Sequence, residues 1–199
     1  MGPRSLPPVP HPQPGLDDLD LPLLPFSGSL HRIHRLENDP AFWGRTGGCR
    51  FDAPGHEYGV LYAAGQFDGA FIETFGDVTP HVVSAIDLAS RGLAGVETLR
   101  PLRLVDLAGP GLSRLGLDAR IFAGDHTVAQ EWSRALWRHP LGVDGLWYVA
   151  RHDGEQHAAA LFERARPAVT FSRCGSLLDL PNLPLIAAAL ERYRFALLP

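Results

Sequence analysis

Residues 58–75 read YGVLYAAGQFDGAFIETF, and this stretch decides the fold. Its first part, residues 59–64, is a continuous apolar run of strand length and predicts a β-strand. Its second part predicts a helix, because apolar side chains recur on one face at helical spacing: Phe67, Ala70, Phe71 and Phe75. Glu73 lies about 60° beyond Ala70 around this helix, at the edge of the apolar face. Its carboxylate is therefore placed to face a cleft.

Further elements surround this strand and helix on both sides. A strand at residues 30–35 and a glycine-rich loop at 40–55 come before them. The best-defined helix is predicted over residues 125–139, with Asp125 as its N-cap and Pro140 ending it. More strands are predicted at residues 81–88, 102–107, 145–150, 158–162 and 168–171, and a last helix at 186–193. This order predicts an α+β domain of mixed sheets with flanking helices, without regular strand–helix alternation.

The first 28 residues differ in composition from the rest of the 199-residue chain, because they hold eight of its 18 prolines. Proline has no amide donor for a helix or a sheet, so we predict a proline-rich extended arm over residues 1–28. Residues 29–199 then form one domain, which is long enough to bury a core of its own.

Composition and charge limit the class of protein. The net charge of −4 argues against nucleic acid as a direct partner, because proteins that track phosphates carry a basic surplus. Cys49 and Cys174 lack the spacing of a zinc site or a disulfide scaffold, which favours a reducing cytoplasm. We recognise no signal peptide and no apolar stretch long enough to cross a membrane. All 18 basic residues are arginines, a bias that suits phosphate groups and that a GC-rich genome also produces.

The usual catalytic and cofactor motifs are absent from the sequence. It contains no glycine-rich dinucleotide or P-loop signature, no HExxH and no GxSxG. His31 and His34 lie three residues apart on a predicted strand, so they point to opposite faces, which is poor geometry for a shared metal ion. We therefore expect no metal.

What remains is an ordered pattern of arginine, aromatic and acidic residues. It runs through HRIHR at 31–35, GCRF at 48–51, YGVLYA at 58–63 and GAFIET at 69–74, and continues with DGLWYVAR at 144–151 and ALFER at 160–164. This pattern resembles the RES domain family over residues 30–173, and its first half is the specific part. The resemblance implies an ADP-ribosyltransferase-like fold, NAD as the substrate and a neutralising Xre-like antitoxin.

Four residues match the family's site, and each has a chemical reason to be there. Cleaving the nicotinamide–ribose bond builds positive charge on the ribose, which Glu73 can stabilise, with Arg32 as the second catalytic residue. Arg32 and Arg50 can bind the pyrophosphate through charge-assisted hydrogen bonds, and Arg45 is a weaker candidate. The ring of Tyr62 can orient the nicotinamide. Without the resemblance, Glu73 is also explained as a solvated carboxylate, the arginines as surface ion-pair partners and Tyr62 as a core residue.

One position departs from the family pattern. The family's serine is expected near the end of the strand at residues 145–151, and this sequence has Ala150 at that substrate-binding position. A missing hydroxyl removes one hydrogen bond to substrate, which is worth about 1 kcal/mol. Ser172 and Ser176 do not have the spacing of a replacement.

The sequence leaves several functions open. The leading one is an NAD-degrading toxin, a glycohydrolase if water attacks the ribose or a phosphorylase if inorganic phosphate does. The alternatives are transfer of ADP-ribose to a protein target, a catalytically weak NAD-binding module and a toxin that cuts RNA, which the acidic balance disfavours. From the resemblance we also expect an antitoxin that covers the active cleft in a hetero-oligomer. A protein acceptor is expected only for the transferase, and neither a membrane nor nucleic acid is expected as a partner.

Overall fold

Ten strands and five α-helices form the regular structure of residues 7–77 and 79–199, the part of the chain that the computed structural model describes. The strands are β1 (Leu23–Phe26), β2 (Ser29–Arg35), β3 (Val60–Ala64), β4 (Val82–Ser84), β5 (Arg91–Thr98), β6 (Leu102–Leu107), β7 (Gly145–Val149), β8 (His157–Phe162), β9 (Val169–Ser176) and β10 (Ala196–Leu198). The helices are α1 (Phe67–Phe75), α2 (Ala85–Ala89), α3 (Pro110–Arg114), α4 (Thr127–Arg138) and α5 (Leu183–Tyr193).

Eight of these strands form one mixed sheet in the order β1-β6-β7-β8-β3-β2-β5-β9. All neighbours in it are antiparallel except β6 and β7, which are parallel. A parallel pair needs a long crossover connection, and here the crossover carries α3 and α4. β4 and β10 form a separate two-stranded parallel sheet.

Strand β3 lies inside the large sheet and is covered on both faces. Val60 and Ala64 belong to one buried apolar cluster, and Leu61 and Ala63 belong to another. Successive side chains of a strand point to opposite faces, so a strand that is buried on both faces is apolar throughout. This burial explains the unbroken apolar run at the centre of the sequence.

Helix α1 follows β3 directly and has the bounds that the sequence predicts. Phe71 and Ile72 on its apolar face are fully buried, and the Phe71 ring stacks on Tyr193 of α5 with 6.2 Å between ring centres. Glu73 lies at the edge of that face and is exposed. The helix therefore has an anchored face and an edge that is free to carry a functional carboxylate.

The proline-rich stretch packs against the domain from residue 7 onwards, and residues 1–6 of the predicted arm lie outside the described residues. The Trp132 indole nitrogen donates to the carbonyl of Pro10 at 2.8 Å, and Leu16 and Leu21 are buried. The last residues of this stretch form β1, an edge strand that pairs with β6. The sheet therefore begins earlier than residue 30, where we predicted the folded part to start.

Apart from shifts at the ends of elements, the prediction differs from the structure at two strands. The predicted strand at residues 81–88 is only β4, and α2 follows it because the Ser84 hydroxyl caps the helix by accepting from the amide of Asp87. Strand β5 was not predicted, because Gly92 and Gly95 weaken the strand pattern. Both glycines are needed for packing, since a Cβ at Gly92 would lie 2.9 Å from the His34 ring.

Helix α4 starts two residues later than predicted, at Thr127. Its N-cap residue is His126 and not the predicted Asp125, although the Asp125 carboxylate accepts from the Thr127 amide at 2.8 Å. In the part of the chain described, none of the helices is both long and apolar enough to cross a membrane.

Candidate active site

A cavity of about 460 Å³ opens where β2, β3, α1 and β7 meet the loop at residues 46–52. Arg32, Arg50, Tyr62 and Glu73 all line it, so the structure brings these four predicted site residues together. Ala150 does not line it. Its side chain is 3% exposed and belongs to the apolar cluster beneath α1.

Arg32 projects from β2 and is fixed by backbone carbonyls. Its Nη1 donates to the carbonyl of Tyr62 at 2.8 Å, and its Nη2 donates to that of Phe42 at 3.2 Å. Its Nε is buried and has no hydrogen-bond partner within the described residues. Burial lowers the pKa of Arg32 to about 10, so the guanidinium remains charged at neutral pH. The result is a fixed cation in the cavity wall.

Tyr62 has its hydroxyl engaged on both sides. The hydroxyl donates to Oδ1 of Asp52 at 2.9 Å and accepts from the amide of Phe51 at 3.0 Å. Burial raises the pKa of Tyr62 well above its ordinary value. Because the hydroxyl is occupied, the part of Tyr62 that is available to a ligand is its ring. Asp52, a buried carboxylate directly after Phe51, had no predicted role.

Glu73 receives two hydrogen bonds from the segment around β7. The backbone amide of Arg151 donates to its Oε1 at 2.9 Å, and the hydroxyl of Tyr148 donates to its Oε2 at 3.3 Å. Burial raises the pKa of Tyr148 far above its ordinary value, so that hydroxyl is a stable donor. The pattern at residues 144–151 did not reveal a role for Tyr148 or Arg151, because only the folded chain brings them close to Glu73.

Arg50 lies on the 46–52 loop and is held less firmly than Arg32. Its Nη1 donates to the carbonyls of Ile121 and Ala123 at 3.4 and 3.3 Å. Burial, and then the like charge of Arg151, lowers the pKa of Arg50. Arg45 pairs instead with Glu163 and lies outside the cavity lining.

The cavity wall is cationic although the chain carries a net charge of −4. Five arginines line it against two carboxylates: Arg32, Arg35, Arg50, Arg91 and Arg151 against Glu73 and Asp77. The two carboxylates are not neutralised in the same way, because Asp77 pairs with Arg151 at 2.7 Å and with His152 at 3.0 Å. The cavity therefore suits an anionic ligand. Glu73 forms no ion pair within the described residues.

Histidines add to the wall on the β2 side. His31 and His34 both line the cavity, and burial lowers the pKa of each. Both are therefore largely neutral at pH 7. Across residues 7–77 and 79–199, no group of three His, Cys, Asp or Glu side chains is placed to hold a metal ion.

The chain is similar to known proteins in sequence and in fold. Residues 29–181 match the family described as the RES domain. A Sinorhizobium fredii protein named as a probable toxin, y4kH, is 37% identical over 98 residues, which cover 49% of this chain and 76% of that protein. A chain in the crystal structure of the M. tuberculosis MbcT–MbcA toxin–antitoxin complex superposes with a TM-score of 0.59 at 18% identity, covering 76% of this chain and 86% of its own length. The prediction of an α+β, ADP-ribosyltransferase-like fold is thereby confirmed.

Proposed function

This chain belongs to the RES domain family, as its sequence pattern predicted, and we propose on that premise that it is an NAD-cleaving toxin of a toxin–antitoxin pair. The observation that carries the proposal is the convergence of Arg32, Arg50, Tyr62 and Glu73 on one cavity. The volume of about 460 Å³ falls in the usual range of small-molecule sites, about 300–1,000 Å³.

The charge of the cavity supports a pyrophosphate ligand. NAD carries two adjacent phosphates, and guanidinium groups bind such oxygens through paired, charge-assisted hydrogen bonds. Arg32 is already ordered by two carbonyls, so it loses little side-chain freedom when it binds. Arg50 has only long hydrogen bonds to protein, which leaves donors available for phosphate.

The chemistry proposed for Glu73 is stabilisation of the ribose cation. When the bond between C1′ and the nicotinamide nitrogen breaks, its electron pair moves to the nitrogen, and nicotinamide leaves as a neutral molecule. Positive charge then develops at C1′ and the ring oxygen, where a nearby carboxylate lowers the barrier. The two donors on Glu73 orient this carboxylate without neutralising it. No general acid is needed, because the leaving group requires no proton.

Capture of the ribose cation decides the product. Water gives ADP-ribose and releases one proton, inorganic phosphate gives a phosphorylated ADP-ribose, and a protein nucleophile gives ADP-ribosylated protein. We propose hydrolysis or phosphorolysis, since an open cavity admits either small nucleophile. A catalytically weak module is less well supported, because a serine at position 150 would lie in the same buried apolar cluster as Ala150 and would not add a group to the cavity wall.

The test is release of nicotinamide from NAD by the purified protein, with and without inorganic phosphate, and with the products separated by charge. The matched control is Glu73→Gln, which keeps the shape of the side chain and removes its charge. We expect nicotinamide release by the wild type and strongly reduced release by the variant. No release above background under either condition would contradict the proposed activity, and labelled ADP-ribose on protein would then favour the transferase.

An antitoxin that covers the cavity is the second part of the proposal. Its support is the family and the solved toxin–antitoxin complex, and an Xre-like partner, a hetero-oligomer and a cytoplasmic location come from the resemblance. Expression of the chain alone should arrest bacterial growth, and Glu73→Gln should relieve the arrest. Growth arrest that is unchanged by Glu73→Gln would separate toxicity from NAD cleavage.

A further inference from the structure

Asp52 is a buried carboxylate that the reaction above does not use. Its side chain is 2% exposed. Oδ1 accepts from the Tyr62 hydroxyl at 2.9 Å, and Oδ2 accepts from the Thr46 hydroxyl and from the amide of Cys49, both at 3.1 Å. Burying a carboxylate is costly unless donors satisfy it, so these three hydrogen bonds act as one unit.

The three donors belong to two parts of the chain. Tyr62 lies on β3, whereas Thr46 and Cys49 lie on the loop that carries Arg50. Asp52 therefore ties the arginine-bearing loop to the strand that carries the aromatic ring. Gln130 of α4 supports the same loop from behind, because its Nε2 donates to the carbonyls of Gly47 and Cys49 at 2.8 and 3.0 Å.

We propose that Asp52 is a positioning residue, which holds the Tyr62 ring and the Arg50 loop in one arrangement and acts on the substrate only through them. This inference rests on the proposed NAD cleavage for its functional meaning. In this proposal the Tyr62 hydroxyl has a structural role and does not bind substrate, because it donates to Asp52 and accepts from the Phe51 amide. It also makes the loop conformation a property that can be measured without NAD.

Cys49 provides that measurement. Cys49 is exposed on the 46–52 loop, and partial desolvation, with a further contribution from Asp52, raises the pKa of its thiol to about 11. Little thiolate is therefore present at pH 8, and the thiol should react slowly with iodoacetamide. Replacing the exposed Cys174 by serine leaves Cys49 as the single thiol of the chain. In Asp52→Asn the remaining carbonyl oxygen can still accept from the Tyr62 hydroxyl. The new amide nitrogen stands where Oδ2 was and cannot accept from the Cys49 amide. In the Cys174→Ser background we expect labelling of Cys49 to become about tenfold faster. Loss of the Asp52 charge by itself lowers the pKa of the thiol, so Thr46→Val, which leaves that charge in place, reports on the loop conformation alone.

A matched control separates positioning from general stability. Asp144 is also 2% exposed and accepts from Arg100 and from the amide of Arg103, but it does not line the cavity. Asp144→Asn should lower the Tm without changing Cys49 labelling or the KM for NAD. Asp52→Asn should speed labelling and raise KM by more than it lowers kcat, because the groups it displaces bind the substrate. Thr46→Val removes the hydrogen bond to Asp52 and the one accepted from the Gly48 amide but no buried charge, and it should change both readouts in the same direction by a smaller factor.

The outcomes are distinguishable. Labelling in Thr46→Val that stays within twofold of the parent would overturn the positioning role, whether or not the protein cleaves NAD. Faster labelling in Thr46→Val without any NAD cleavage by the wild type would support the loop arrangement and contradict the proposed function. Should Asp52→Asn fail to fold, Thr46→Val decides the question by itself.

Discussion

Removing the charge of Glu73 is the most direct perturbation of the proposed reaction. Glu73→Gln retains one carbonyl oxygen, which can still accept from the Arg151 amide, now 2.9 Å from Oε1. The new amide group then faces the Tyr148 hydroxyl, which can turn from donor to acceptor. The Tyr148 hydroxyl lines the cavity, so its hydrogen can then turn to solvent. The Tm should therefore change little, and any loss of activity reports on charge.

The size of the effect follows from Coulomb's law. A carboxylate about 4 Å from a unit positive charge is worth about 1 kcal/mol in water and about 4 kcal/mol at an effective dielectric constant of about 20. Glu73 is exposed at the cavity edge, so its environment lies between these limits. The expected fall in kcat is therefore between about fivefold and about 1,000-fold. KM should change much less, because the ribose charge develops in the transition state.

The assay is steady-state release of nicotinamide, with a second carboxylate as the control. Glu155 is 83% exposed and pairs with Arg192 outside the cavity, so Glu155→Gln should leave kcat and KM unchanged. A Glu73→Gln variant that keeps kcat within about twofold of the wild type would refute the stabilisation of a ribose cation by this residue.

Three further predictions concern other side chains that line the cavity. Tyr148→Phe removes one neutral donor and should lower kcat about three- to tenfold, which the same assay measures; an unchanged kcat would mean that the 3.3 Å hydrogen bond does not orient Glu73. Arg32→Lys cannot reproduce both carbonyl contacts with its point charge and should raise the KM for NAD about tenfold, and a wild-type KM would contradict its role in binding. Burial lowers the pKa of His34 below 6.5, so the unfolded chain binds more protons as the pH falls below that value. The Tm should therefore fall between pH 7 and pH 5, and the fall should be smaller in His34→Gln; equal falls would contradict this explanation.

The centre of the fold was predictable because its pattern has one simple cause. The run at residues 59–64 is apolar because β3 is covered on both faces, and the helix after it repeats its phenylalanines at helical spacing. Strand β5 was not predictable in the same way. Its glycines read as loop signals, and their reason is the close approach of His34 and of Ser172 on neighbouring strands.

The site was predictable only where a residue type carries its own chemistry. Arg32, Arg50, Tyr62 and Glu73 could be named from their pattern, and the structure places them around one cavity. Asp52 and Tyr148 could not, because a buried aspartate and a strand tyrosine acquire their roles from the partners that folding supplies. Ala150 is the opposite case. Its position in the sequence predicted a substrate-binding residue, but its side chain is buried beneath α1 and does not line the cavity.

The excess of arginines in the cavity wall has a consequence for how quickly a substrate arrives. A cationic recess in a protein of net charge −4 concentrates field lines toward its opening, and the negative surface around it repels the same anion elsewhere. Productive collisions are thereby guided to one entrance. Such guidance decays with ionic strength over a Debye length of about 8 Å at physiological salt. The second-order rate constant should fall as salt is added, while the bond-breaking step proceeds at the same speed.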